Sequence, residues 1–216
     1  MAKKQNVVVF CAHPDDEIIG AGGTIAKYSK EGYNVYAVIF SYGEGSHWWL
    51  KKKYTAEMRV KESQEAGKVV GVKDTVFLGL QDLHLTSEIK QPRVKQILKD
   101  IMKKYKPVKV FTHSMDDVLY KDHKAVHEII TTFLDEIKYS GELYAFNIWT
   151  MNVRKTDSPK LIVDISDTFG DKIKSLKCFS SQWLALAQLT PAVYARAMKN
   201  GFKHGYRYAE EFYKLK

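Results

Sequence analysis

Apolar runs of strand length alternate with segments of helical spacing along most of this chain, and that alternation limits its fold more than any other feature. NVVVFC reads as a strand, and Glu17 to Lys30 then carries a helical pattern through Ile18, Ile19, Ile25 and Ala26. Asn34 to Phe40 is a second strand, followed by the loop SYGEGSHWWLKKKY and a helix from about Thr55 to Val70. DTVFLGL supplies a third strand, QPRVKQILKDIMKKY a helix opened by Pro92, and PVKVFTH a fourth strand. Asp122 to Lys138 is helical, ELYAFNIWT and KLIVDIS are two further strands, and from Asp167 the pattern is helical to the end, broken near Pro191 and Gly201. Strand–helix alternation with short links predicts an α/β sandwich with a largely parallel sheet. No repeat or linker divides residues 1–216, which predicts one domain. A domain of that length buries roughly 70% of its unfolded surface.

Composition excludes several classes. Lys and Arg number 34 against 25 acids, a formal +9, but they are scattered and accompany no RNP, zinc-finger or helix-turn-helix signature. A solvated basic surface with no nucleic-acid partner is expected. Cys11 and Cys178 are too few for a disulfide framework. Nowhere do 18 apolar residues run together, and the first apolar stretch is too short for a signal peptide, so a soluble, cytoplasmic protein without a membrane span is expected. Symmetric assemblies are common enough to expect a homo-oligomer.

In a parallel sheet, ligands gather outside the carboxyl ends of the strands. His13 to Glu17 follows the first strand, Tyr42 to Trp49 the second, Gln81 to Leu85 the third and His113 to His123 the fourth, so the unusual polar residues share one rim. IIGAGG lacks dinucleotide spacing, and three carboxylates precede it where a pyrophosphate needs positive potential. Carboxylates with imidazole suit a metal such as zinc instead. His13 and Asp16 are close enough to grip one ion, and His123 or His127 offers a third ligand. Asp15 reads either as a general base beside the ion or as a helix N-cap. Glu17 reads as a first-turn acid or an acceptor behind the ligands. Trp48 and Trp49 suit a platform for a sugar ring or plain packing. Asp82 and His84 suit sugar hydroxyls or an ordinary loop.

AHPDDEIIGAGGTIAK resembles the signature of the LmbE/PIG-L family of zinc-dependent N-acetylglucosaminyl deacetylases. RVKESQEAGKVVGVKDTVFLGLQD, KDHKAVHEII and CFSSQW extend the likeness over most of the chain. The resemblance implies a Rossmann-like three-layer sandwich and one zinc ion per chain held by His13, Asp16 and His123. Asp15 would then be the general base for attack by water activated at the metal, with Arg59 and Trp48 at the substrate and Glu17 and Asp122 behind the ligands. The expected substrate is an N-acetylglucosamine-type amino sugar or its conjugate. Many members read H-x-D-H at the second motif, where this chain has Tyr120-Lys121-Asp122-His123. Tyr120 is assigned the vacated oxyanion role, with His113 and His127 as alternatives. A zinc-binding relative with little catalysis, or a hydrolase of another amide, are the competing readings.

Overall fold

The computed structural model describes residues 4–47, 49–117, 121–149 and 159–216. Seven strands form one sheet in the order β3-β2-β1-β4-β5-β7-β6. They are β1 (Asn6–Cys11), β2 (Asn34–Ser41), β3 (Val72–Leu80), β4 (Lys109–His113), β5 (Glu142–Phe146), β6 (Lys160–Asp164) and β7 (Ala209–Lys214). The first five are mutually parallel, while β7 runs antiparallel to both β5 and β6. The expected three-layer α/β sandwich with a largely parallel sheet is what the chain forms.

Period-2 alternation divides each central strand between two cores. Val7, Val9 and Cys11 face one side with Val35, Ile39, Phe111 and Phe146. There they pack on α1 (Asp16–Lys30), α2 (Lys52–Val70), α6 (Phe169–Leu176) and α7 (Trp183–His204). Val8 and Phe10 face the other side with Val38, Phe40 and Val110. That side is covered by α3 (Leu85–Glu88), α4 (Pro92–Tyr105) and α5 (Lys121–Glu136). β1 and β4 are neighbours whose following helices, α1 and α5, cover opposite faces, so a crevice opens at their carboxyl ends.

One feature departs from the sequence reading. The expected helix does not run to the C-terminus: α7 stops at Gly205, which adopts φ +79°, and AEEFYK returns as β7. Phe212 is fully buried between the neighbouring strands, so sheet completion decides this segment rather than its weak helical pattern. The glycines of IIGAGG lie inside α1, as the helical pattern from Glu17 to Lys30 predicts. A Cβ at Gly20 would fall 2.3 Å from the Phe146 ring, and one at Gly23 would fall 2.7 Å from Ile165. These glycines let α1 press closely onto the end of β5 and the turn after β6, at a helix-propensity cost of about 1 kcal/mol each relative to alanine.

Candidate active site

The turn from β1 into α1 is tightly tied. The His13 N–H donates to Asp16 Oδ2 at 2.8 Å. Asp15 sits at the N-cap position with φ 115°, yet its carboxylate makes no capping bond. It turns to Arg59 of α2, whose Nη2 donates to Asp15 Oδ2 at 2.9 Å and to the Pro14 carbonyl at 2.5 Å. Arg59 Nη1 also donates to the Gly43 carbonyl at 3.3 Å. The Asp15 N–H in turn donates to Glu17 Oε2 at 3.2 Å, and Ser63 Oγ donates to Glu17 Oε1 at 3.2 Å. An aspartate in this backbone region is strained, and the bonds from Arg59 and to Glu17 hold it there.

His13, Asp16 and His123 converge from β1's exit, α1 and α5, each offering a ligand atom within 4.8 Å of the others. His123 Nε2 lies 3.4 Å from Asp16 Oδ1, and His13 Nδ1 lies 3.6 Å from Asp16 Oδ2. Ligand atoms on a tetrahedral zinc stand about 3.4 Å apart, given bonds of about 2.1 Å. The two histidines approach different oxygens of Asp16 at spacings close to that value, so the three residues could hold a divalent ion between them. Asp117 fixes the His123 ring by accepting from Nδ1 at 2.7 Å, which turns Nε2 towards Asp16. Asp117 is itself held by the N–H groups of Ile148 and Trp149 at 3.2 and 3.0 Å. His13 Nε2 meets Asp82 at 3.1 Å and Asp122 at 3.4 Å. Two other groupings bring potential ligands together, His113 with Asp117 and His123, and His13 with Asp82 and Asp122. In the former, Asp117 already accepts two backbone N–H groups; in the latter, Asp82 already accepts N–H groups from Gly45 and Leu83.

The charges respond to this crowding. Burial alone would raise Asp16, but His123 and His113 outweigh it and hold the carboxyl well below its usual range. His123 is pushed up to about 9, because Asp16 and Asp117 overcome the burial that opposes its charge. His13 rises likewise against burial, through Asp122, Asp16 and Asp82. Burial lifts Asp15 to about 6 despite Arg59, and lifts Glu17 to about 8. Burial lowers His113 to about 4.

A cleft of about 240 Å³ opens over these groups. Asp15, Asp16, His13, His123, Asp122 and Arg59 line its polar floor, and Ile19, Leu83, Ile148, Trp149 and Leu189 its apolar walls. Glu17 lies behind the floor. Trp48 and Tyr120 fall outside the described residues. Trp49 is largely exposed, its ring 5.1 Å from that of His47. His113 and His127 do not line the cleft: the His113 ring stacks beneath His123 at 4.1 Å, and His127 Nδ1 bonds the His113 carbonyl at 2.7 Å. Sequence reasoning gave no role to Asp117 or Trp149. Both sit one loop past a parallel strand's end, the place that marked the other site residues.

The family model described as PIG-L, GlcNAc-PI de-N-acetylase, matches residues 8–134. A Bacillus cereus protein named probable N-acetyl-alpha-D-glucosaminyl L-malate deacetylase 2 is 24% identical over 88% of this chain and 89% of its own length. The solved N,N'-diacetylchitobiose deacetylase of Pyrococcus horikoshii superposes with a TM-score of 0.80 at 28% identity, covering 98% of this chain and 84% of that one. A 4-oxalmesaconate hydratase of Pseudomonas putida is 27% identical over 83% of this chain and 74% of its own length. With the model spanning well over half of its residues and the motif's histidines and aspartates gathered in one cleft, this chain belongs to the PIG-L family.

Proposed function

We propose that this protein removes the N-acetyl group from an N-acetylglucosamine-type sugar or a conjugate of it, using one zinc ion held by His13, Asp16 and His123. The observation that carries the reading is the convergence of those three ligands beside Asp15, a cleft carboxylate that none of them needs. When bound, zinc contributes Lewis acidity for the acetyl carbonyl and acidifies water towards a pKa of about 7. Asp15 takes the proton of the attacking water and returns it to the departing amine. Arg59 acts by aiming Asp15 rather than by gripping the sugar, since its three described bonds go to Asp15, Pro14 and Gly43. Glu17 holds the Asp15 backbone, Asp122 steadies His13, and Trp149 and Leu189 give the sugar an apolar wall. Trp48 and Tyr120 keep the proposed roles of sugar platform and oxyanion donor.

Asp15→Asn is expected to keep zinc at unit stoichiometry and to lose about 10²- to 10⁴-fold in acetate release from N-acetylglucosamine conjugates. Parental turnover in that variant would remove Asp15 from the mechanism. The hydratase relative favours a second reading, in which the same floor directs water onto a carbon–carbon double bond. Consumption of 4-oxalmesaconate without acetate release from any conjugate would select it.

A further inference from the structure

A second cavity, of about 210 Å³, lies on the far side of Ile19 from the catalytic cleft. Ile19 lines both spaces. Along α7, Leu189 faces the cleft while Val193 and Arg196 face the second cavity. Leu189 and Arg196 are seven residues apart, a rise of about 10 Å. Past β5 the same division holds: Asn147 lines the second cavity, and Ile148 and Trp149 line the cleft.

The walls of this cavity are positively charged. Five cationic residues line it against two carboxylates, Glu210 and Glu211. Lys172 is paired with Glu210 at 2.5 Å, and Lys160 and Lys203 approach Glu211 at 2.6 and 3.8 Å. Arg196 and Lys199 have no carboxylate partner among the described residues. Arg196 donates Nη1 and Nη2 to the carbonyls of Asn147 and Ile148 at 2.5 and 2.7 Å, which satisfies hydrogen bonds without neutralising charge. Its Nε is buried with no hydrogen-bond partner among the described residues. Asn147, 9% exposed, also lines the cavity and carries an amide NH2 that can donate to an anion. Asp117 and Glu210 act on this half-buried guanidinium only from beyond ion-pair distance, and a desolvated charge with no close counter-ion is stabilised by a ligand that supplies one.

We propose that this cavity is an anion site that takes a small carboxylate- or phosphate-bearing group. Arg196 supplies the charge, Asn147 an amide to hydrogen-bond the group, and Lys199 electrostatic attraction at the mouth. The anion is either free or carried by the acetylated sugar, whose far end would reach past Ile19; only the second source rests on the deacetylase reading.

Titration calorimetry of the zinc-loaded protein at constant ionic strength, with inorganic phosphate and with L-malate, tests the site without any catalysis. Saturable binding of at least one anion is expected in the parent, weakened tenfold or more in Arg196→Gln. Because Arg196 also braces the backbone at 147–148, Lys199→Glu, at an exposed position, serves as a second variant and is expected to weaken binding at least threefold. No saturable binding, or equal affinities in the parent and both variants, overturns the proposal. The source is then read from kinetics. If the sugar carries the anion, Arg196→Gln raises KM for a malate conjugate tenfold more than for the methyl glycoside. Equal changes in the two, together with weakened phosphate or malate binding, assign the site to a free anion.

Discussion

Asp117 donates no ligand atom to the proposed ion, yet it sets which nitrogen of His123 can do so. Its carboxylate accepts from Nδ1, and the backbone of Ile148 and Trp149 pins that carboxylate in place. Replacing a carboxylate behind a histidine ligand typically costs 10- to 100-fold in metal affinity. Asp117→Asn is therefore expected to weaken zinc binding by about that factor, measured by competition with a chromophoric chelator, with the far-ultraviolet circular dichroism unchanged. Parental affinity would show that the ring is oriented by something else. Gly43 works on Asp15 at one further remove. It adopts φ +66°, and a Cβ there would lie 2.0 Å from Arg59 Nη1. Gly43→Ala is expected to push the guanidinium off Asp15 and lower turnover by about 100-fold, the cost of roughly 1 Å of misplacement. Gly32 also has a positive φ, +92°, but a Cβ there meets nothing within 4 Å. Gly32→Ala should therefore cost stability through backbone strain alone and leave turnover unchanged. Similar loss of activity in the two variants would refute the link from Gly43 through Arg59.

Helix α1 is held from below by β7 and α6 through a buried ion pair. Lys172 Nζ donates to the Ile19 carbonyl at 2.8 Å and to Glu210 Oε1 at 2.5 Å. Glu210 accepts from the Gly23 and Thr24 N–H groups and from Thr24 Oγ1 at 3.1, 2.7 and 2.6 Å. Removing one partner of a buried pair leaves an uncompensated charge and costs about 3–5 kcal/mol. Lys172→Met should lower the unfolding free energy by that amount in urea titration. Adding Glu210→Leu should cost less than the sum of the two single variants, with a coupling of at least about 1 kcal/mol. Additive losses would mean that the two charges do not act as a unit. This anchor was not legible in the sequence, because Lys172 and Glu210 lie on segments that both read as part of one helical tail. An AEEFYK segment pairs as a strand only once β5 and β6 present open edges, and nothing local encodes those edges. The central strands were legible because burial on both faces demands near-continuous apolar runs, as in NVVVFC.

Across the whole molecule, the candidate site collects the ends of β1, β3, β4 and β5 on one rim. The ends of β1, β3 and β4 could be read in advance, since parallel strands place their following loops on one side while the residue types name the chemistry. The contribution past β5, Ile148 and Trp149, could not. That His13, Asp16 and His123 would gather in one place was legible because few residue types can offer metal-ligating atoms. Arg59's grip on Asp15 was not, since the approach of α2 to the β1 turn depends on packing through α1 and α6. The same convergence predicts how the fold responds to metal removal. An ion held by His13, Asp16 and His123 ties α1 to α5 across the sheet and offsets the carboxylates of Asp15, Asp16, Asp82 and Asp122 crowded there. Any ligand that binds only the folded state stabilises it by mass action, about 4.1 kcal/mol at a thousandfold excess over Kd. For a chain of this length each kcal/mol moves Tm by about 2–4 °C. Chelation of the zinc-loaded protein should accordingly lower Tm by roughly 8–16 °C in differential scanning calorimetry, and restored zinc should recover it. Asp16→Asn, having lost one ligand, should show little of this response. An equal drop on chelation in that variant would place the stabilising ion somewhere other than between α1 and α5.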